Sequence, residues 1–182
     1  FYRPNQGKIF LDDKLTTFNS PRDAIANGIG MVHQHFVLVT PLSVIENVVL
    51  GTHRVGWKMD LDESKNKLKE ICDRYKIEID FEAKVWQLSV GEQQWVEILK
   101  ALYLGAELLI LDEPTAALTP QESERLFRII ERMTDDGLSI IFISHKLNEV
   151  MQSKRVTVLR KGKVVSTVET KSTTKEELTT MM

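Results

Sequence analysis

Leu108-Leu109-Ile110-Leu111-Asp112-Glu113-Pro114 is the stretch that decides how this chain folds. Four apolar residues in a row, stopped by two carboxylates and a proline, have the pattern of a parallel β-strand buried on both faces. Asp112 and Glu113 then emerge side by side from the strand's carboxyl end. At a nucleotide site the first can hold Mg²⁺ through water and the second can polarise an attacking water. A strand ending in a polar turn has the same look, so the pair alone leaves both readings open.

Downstream, the alternation of strand and helix continues. Thr119-Pro120-Gln121-Glu122 is a helix start, with Thr119 as cap and Glu122 three residues on. Leu126, Ile129, Ile130 and Met133 fall on one face of that helix, and Gly137 ends it. Ser139 to Ile143 reads as a second buried strand, followed by Ser144-His145. A helix is expected over Leu147 to Gln152, then a hairpin of Arg155 to Leu159 and Val164 to Val168 around Lys161-Gly162. A last short helix starts at Thr174, with Glu177 three residues on.

Upstream, three helices precede the decisive strand: Pro41 to Leu50, ending near Gly51; Leu61 to Tyr75; and Gly91 to Leu104. Leu61, Leu68, Ile71, Cys72 and Tyr75 form the apolar face of the second. Before them come a strand at Lys8 to Leu11, a helix capped by Ser20 with Asp23, and a strand at Ile29 to Val32 that leads into His33-Gln34. Strand, helix, strand with buried strands gives an α/β fold with a parallel sheet core. The helical stretch, residues 40–100, is an insertion between two of its strands.

Two further features lie where a ligand would collect. Leu88-Ser89-Val90-Gly91-Glu92-Gln93 places a Ser and a Gly at a helix start, where free N–H groups and the helix dipole favour a phosphate. Ser89 capping the helix with Glu92 as box partner explains the same residues without a ligand. Gln34 and His145 each follow a strand, and in open α/β sheets ligands gather at the carboxyl ends of strands.

Composition narrows the classes. Lys+Arg number 24 against 26 Asp+Glu, a net charge of −2, which argues against a nucleic-acid binder working through a strongly basic surface and leaves a local patch open. Hydrophobic residues at 42% separate the 182-residue chain from disordered sequences and are enough for a core. The single cysteine, Cys72, excludes an internal disulfide framework and a cysteine zinc cluster, and fits a cytoplasmic setting. No apolar run reaches the ~18 residues of a membrane span.

Taken in order, Gln34, the helical insertion, Ser89 to Gln93, Asp112-Glu113 and His145 form a series that resembles the ATP-binding cassette (ABC) family of ATPases. Gln34 resembles the Q-loop glutamine and Leu88 to Gln93 the signature motif, with Val90 and Glu92 as accepted variants. Leu108 to Glu113 resembles Walker B with its catalytic glutamate, Thr115 to Thr119 the D-loop, and His145 the switch histidine. A narrower likeness lies in Ser20-Pro21-Arg22-Asp23-Ala24, Met31 to Phe36 and Glu113 to Glu122, which resemble the first cassette of importers for simple sugars and nucleosides.

The resemblance implies a P-loop NTPase-like fold with a remnant antiparallel β subdomain, and a chain that hydrolyses ATP to power import. It implies that Glu113 and His145 are catalytic, that Asp112 and Gln34 serve Mg²⁺, and that Ser89, Gly91, Glu92 and Gln93 contact ATP bound on a second cassette. The implied partners are that second nucleotide-binding domain, integral membrane permease subunits touched by the helical insertion, and indirectly a substrate-binding protein. The implied place is the cytoplasmic face of the cell membrane. A non-transport cassette ATPase, or a non-catalytic fragment acting as an interaction module, are the alternatives.

Two departures and one gap accompany the likeness. Trp95 stands where the family has a basic residue, and Thr119 replaces the D-loop aspartate. No G-x-x-x-x-G-K-[ST] P-loop occurs: Gly7-Lys8 has Tyr2 where the first Gly belongs, and Gly162-Lys163 has Thr157 there. The expectation is therefore a partial cassette over residues 1–182, N-terminally truncated, inactive by itself, and poorly stable or self-pairing.

Overall fold

The structure, a computed structural model, describes residues 4–50 and 61–182. Gly51, the expected end of the first insertion helix, and Tyr2 lie outside the described residues. A short ribbon of β1 (Ile9–Leu11) and β2 (Lys14–Thr16) leads to α1 (Pro21–Ala26) and β3 (Ile29–Val32). Then come α2 (Val44–Val49), α3 (Leu61–Tyr75) and α4 (Val90–Tyr103). The chain continues through β4 (Leu108–Asp112), α5 (Pro120–Asp135), β5 (Ser139–Ile143) and α6 (Leu147–Val150). The hairpin β6 (Arg155–Arg160) and β7 (Lys163–Glu169) and the helix α7 (Lys175–Met181) complete it.

β3, β4 and β5 pair in parallel, in that order, so the decisive stretch is the central strand. The register aligns Gly30, Leu109 and Ile140, and then Val32, Leu111 and Phe142, on one face. That face meets α4 and α5: Val32, Leu109 and Leu111 are fully buried, and Phe142 packs edge-on against Phe127 at 5.5 Å. Gly30 is needed where β3 meets α4, because a Cβ there would sit 2.8 Å from that of Ala101.

The expectation of strands buried on both faces is corrected here. On the opposite face Met31, Ile141 and Ile143 are exposed, and β5 alternates exposed with half-buried. Helices cover one face of this sheet only among the described residues, and β3 and β5 are its two edges. The apolar run of β5 is the same whether one face or two is covered. A smaller correction concerns α3, where Leu61 is exposed and Ser64 takes its place beside Leu68, Cys72 and Tyr75. Burial, with Asp73 nearby, pushes the Cys72 thiol up to about 11, which leaves it an inert core residue.

Local signals set most helix starts. Ser20, Ser43, Ser89, Thr119 and Thr174 each cap a helix and in return donate their own N–H to the carboxylate of the third residue on. At α2 the box is charged. Glu46 accepts the Ser43 N–H at 2.6 Å, takes part in a bond with the Ser43 side chain, and pairs with Lys84 at 3.1 Å. Together, in that order, these hold its carboxyl at about 2, below its ordinary 4.5. A lowered pKa stabilises the fold above the unfolded value and is lost as pH falls through the folded one. Glu46→Gln is therefore expected to flatten the stability profile between pH 4.5 and 2, read as urea midpoints across that range.

Among the described residues no helix is long and apolar enough to cross a membrane.

Candidate functional site

The parallel register brings the strand ends together. Val32, Leu111 and Phe142 are level across the sheet, and Asp112 is level with Ile143. Gln34, Glu113 and His145 each follow one of these ends. They meet: Gln34 Nε2 donates to Glu113 Oε2 at 3.2 Å, and His145 Nδ1 lies 3.0 Å from Glu113 Oε1. Residues 79 and 32 positions apart thus converge on one carboxylate.

Glu113 is turned out of the strand. Its φ is 45°, the left-handed region that costs a non-glycine residue about 1–3 kcal/mol. Two backbone bonds hold it there: its N–H donates to Ile143 C=O at 3.0 Å, and its C=O accepts from Ala116 N–H at 3.0 Å. The carboxylate is left partly open to solvent, its side chain 29% exposed. Asp112, half-buried, ends β4 beside it. A carboxylate with two polar groups aimed at it, beside a second carboxylate, can accept a proton from a water and steer it.

Ser89, Gly91, Glu92 and Gln93 form a second group at the start of α4. Among the described residues no hydrogen bond or ion pair joins it to Gln34, Glu113 or His145. The capping reading of Ser89 is realised in the structure. Its Oγ accepts from Glu92 N–H at 3.3 Å while Glu92 Oε2 accepts from Ser89 N–H at 2.8 Å, so the cap is made. Gln93 Nε2 donates to Leu88 C=O at 3.1 Å. Gly91 packs against α5: a Cβ there would lie 2.5 Å from Glu122 Oε1, while the other oxygen of that carboxylate, Oε2, accepts from Thr119 N–H at 2.8 Å. The signature-like turn and the cap of α5 are in direct contact.

A cleft of about 310 Å³ lies beside this group, lined by Ser89, Gly91, Trp95 and Arg125 among others. Glu78, Glu92 and Glu122 also line it, the last two holding the caps of α4 and α5. Trp95 is 6% exposed and belongs to the core, so the departure at this position adds packing and no exposed apolar spot.

Three buried polar residues escaped sequence reasoning. Glu97 of α4 accepts Val37 N–H at 2.6 Å. Asn47 of α2, fully buried, accepts Val39 N–H at 2.7 Å and donates to Val39 C=O at 3.0 Å. Glu149 of α6 accepts from Thr115 and Ser144. Only Glu97 left a trace in the sequence, as a charge inside the apolar run Val96-Glu97-Ile98-Leu99.

Comparison with known proteins identifies relatives of the chain. The family described as ABC transporter matches residues 1–116. The glucose import ATP-binding protein TsgD13 of Haloferax volcanii is 47% identical, over 100% of this chain and 38% of that protein. The nucleoside import ATP-binding protein NupA of Lactococcus lactis subsp. cremoris is 45% identical, over 98% of this chain and 36% of that protein. The chain thus spans little more than a third of the length of these relatives. Among solved structures, the ATP-binding cassette MJ0796, a dimer in a post-hydrolysis state bound to ADP and Pi, superposes with a TM-score of 0.77. It is 26% identical, over 93% of this chain and 75% of that one. With the strand-end trio, the parallel core and the family match over most of its length, the chain belongs to the ABC transporter family.

Proposed function

We propose that this chain is part of the ATP-hydrolysing subunit of an importer for simple sugars or nucleosides. The observation that carries the reading is the convergence of Gln34 and His145 on Glu113 at the ends of three parallel strands. In this reading Glu113 accepts the proton of the attacking water, and His145 and Gln34 keep it aimed. The sugar and nucleoside relatives support the substrate class.

ATP and Mg²⁺ are the expected ligands. Asp112 and the Gln34 amide oxygen are hard oxygen donors of the kind Mg²⁺ takes. One or two such side chains are what Mg²⁺ commonly takes from a protein at a nucleotide site. When bound, the ion supplies neutralisation of charge on the phosphates.

Ser89, Gly91, Glu92 and Gln93 serve ATP on a facing second cassette in this proposal. Residues 40–100 form a helical subdomain against membrane permease subunits at the cytoplasmic face, which a substrate-binding protein loads from the other side. The test is uptake by vesicles holding the full-length subunit with its membrane partners. Labelled nucleoside or monosaccharide is expected to accumulate only with ATP. ATP hydrolysis without uptake of either would remove the import reading and keep the ATPase.

A further inference from the structure

Glu149 is 7% exposed and belongs to none of the motifs above. A buried carboxylate is costly unless its oxygens are fully bonded, and these are. Oε1 accepts from the Thr115 hydroxyl at 2.5 Å and Oε2 from the Ser144 hydroxyl at 2.7 Å. Lys146 Nζ lies 3.3 Å from Oε1 and donates to Thr115 C=O at 3.1 Å and Thr115 Oγ1 at 3.0 Å. Ser144 Oγ in turn accepts the Lys146 N–H at 3.0 Å. Burial pushes the Glu149 carboxyl up, but the bonds from Thr115, Ser144 and Lys146 outweigh it and hold it below the usual range. It is therefore ionised at neutral pH.

The placement of its partners gives this cluster meaning. Thr115 lies two residues after Glu113, and Ser144 and Lys146 flank His145. Thr115 is 1% exposed, whereas the His145 side chain is 66% exposed. An exposed His–carboxylate pair is weakly held, since water competes for both partners. Behind it the Thr115–Glu149 bond joins the same two segments and is buried, with the part-buried bonds of Ser144 and Lys146 at its rim.

We propose that Glu149 is a positioning residue, which ties the turn after Glu113 to the loop of His145 and so fixes the spacing of that pair. Thr115 is its principal partner, because its single hydroxyl proton is committed to Glu149 while its lone pair receives Lys146. The inference rests on the ATPase reading above and adds to it the device that holds its two central side chains together.

The experiment uses the full-length subunit with its membrane partners, assayed for Mg-ATP hydrolysis. E149Q and T115V keep side-chain size and break the cluster. Each is expected to lower kcat roughly ten- to a hundredfold, the scale of a misplacement of about 1 Å, and to leave KM for ATP within about twofold. T115S restores the hydroxyl and should return near wild-type turnover. The T115V/E149Q double variant should be no slower than the slower single, because both remove one unit. Unchanged kcat in folded E149Q and T115V overturns the proposal, as do losses that fall on KM or multiply in the double variant. If E149Q does not fold, T115V against T115S decides alone. Absence of hydrolysis in the wild type removes the ATPase reading itself, and this inference with it.

Discussion

Glu113→Gln is expected to slow ATP hydrolysis by the full-length protein roughly 10²- to 10⁴-fold, the usual contribution of a positioned general base. The substitution preserves size and much of the geometry. An amide oxygen can still accept from Gln34 Nε2, now 3.2 Å from Glu113 Oε2, while the amide NH₂ faces the His145 nitrogen at the other oxygen's place. What is lost is negative charge and the capacity to take a proton. ATP affinity should persist, because Glu113 is proposed to act on the attacking water. Equilibrium titration with ATP beside single-turnover hydrolysis separates the two quantities. Turnover within about twofold of wild type, with ATP bound, would assign the base elsewhere.

The largest effect on stability is expected from Leu109→Ala, at about 3–5 kcal/mol. Leu109 is fully buried on β4, the strand bonded on both edges, so its backbone cannot move in to fill the space. Neighbouring side chains cannot grow to compensate either. Gly30 lies across the sheet from it, and Ala101 and Ala106 lie close to Gly30. The residual cavity therefore adds to the lost transfer energy. Urea unfolding followed at a fixed temperature measures it. Glu131→Ala on the exposed side of α5 serves as the control, with a change within about 0.5 kcal/mol. A Leu109→Ala loss of similar size to the control would contradict the tight one-sided core.

How far this could be read in advance depends on the range of the interactions. β3 and α3 carry the bounds expected of them, Ile29–Val32 and Leu61–Tyr75, because turn and periodicity signals lie within a few residues. The same holds for the boxes at Ser20, Ser89, Thr119 and Thr174, each closed by its own third residue. For α2 a start at Pro41 gives way to Val44, since Ser43 with Glu46 is the cap that forms. β2, three residues without alternation, gave no signal at all.

The site divides in the same way. Gln34, Glu113 and His145 could be placed at strand ends from local pattern, and parallel pairing then brings strand ends together. Asn47, Glu97 and Glu149 could not, although Asn47 sits only eight residues from Val39. A buried polar residue is recognised by its partner; that of Glu97 lies 60 residues away, and Thr115, the principal partner of Glu149, lies 34 away. The one-sided burial of β5 was hidden for a related reason: an apolar run does not record which of its faces is covered.

The Glu97 bond to Val37 has a mechanical corollary. β3 is fixed in the sheet up to Val32, and from Val37 the backbone is pinned to α4, then from Val39 to α2. Residues 33–36 are thus the slack in a tether tied at Val32 and Val37, whose span is at most about 18 Å when taut. Gln34 rides on that slack. The reach of Gln34 toward Glu113 is therefore set jointly by the sheet at one end and by α2 and α4 at the other.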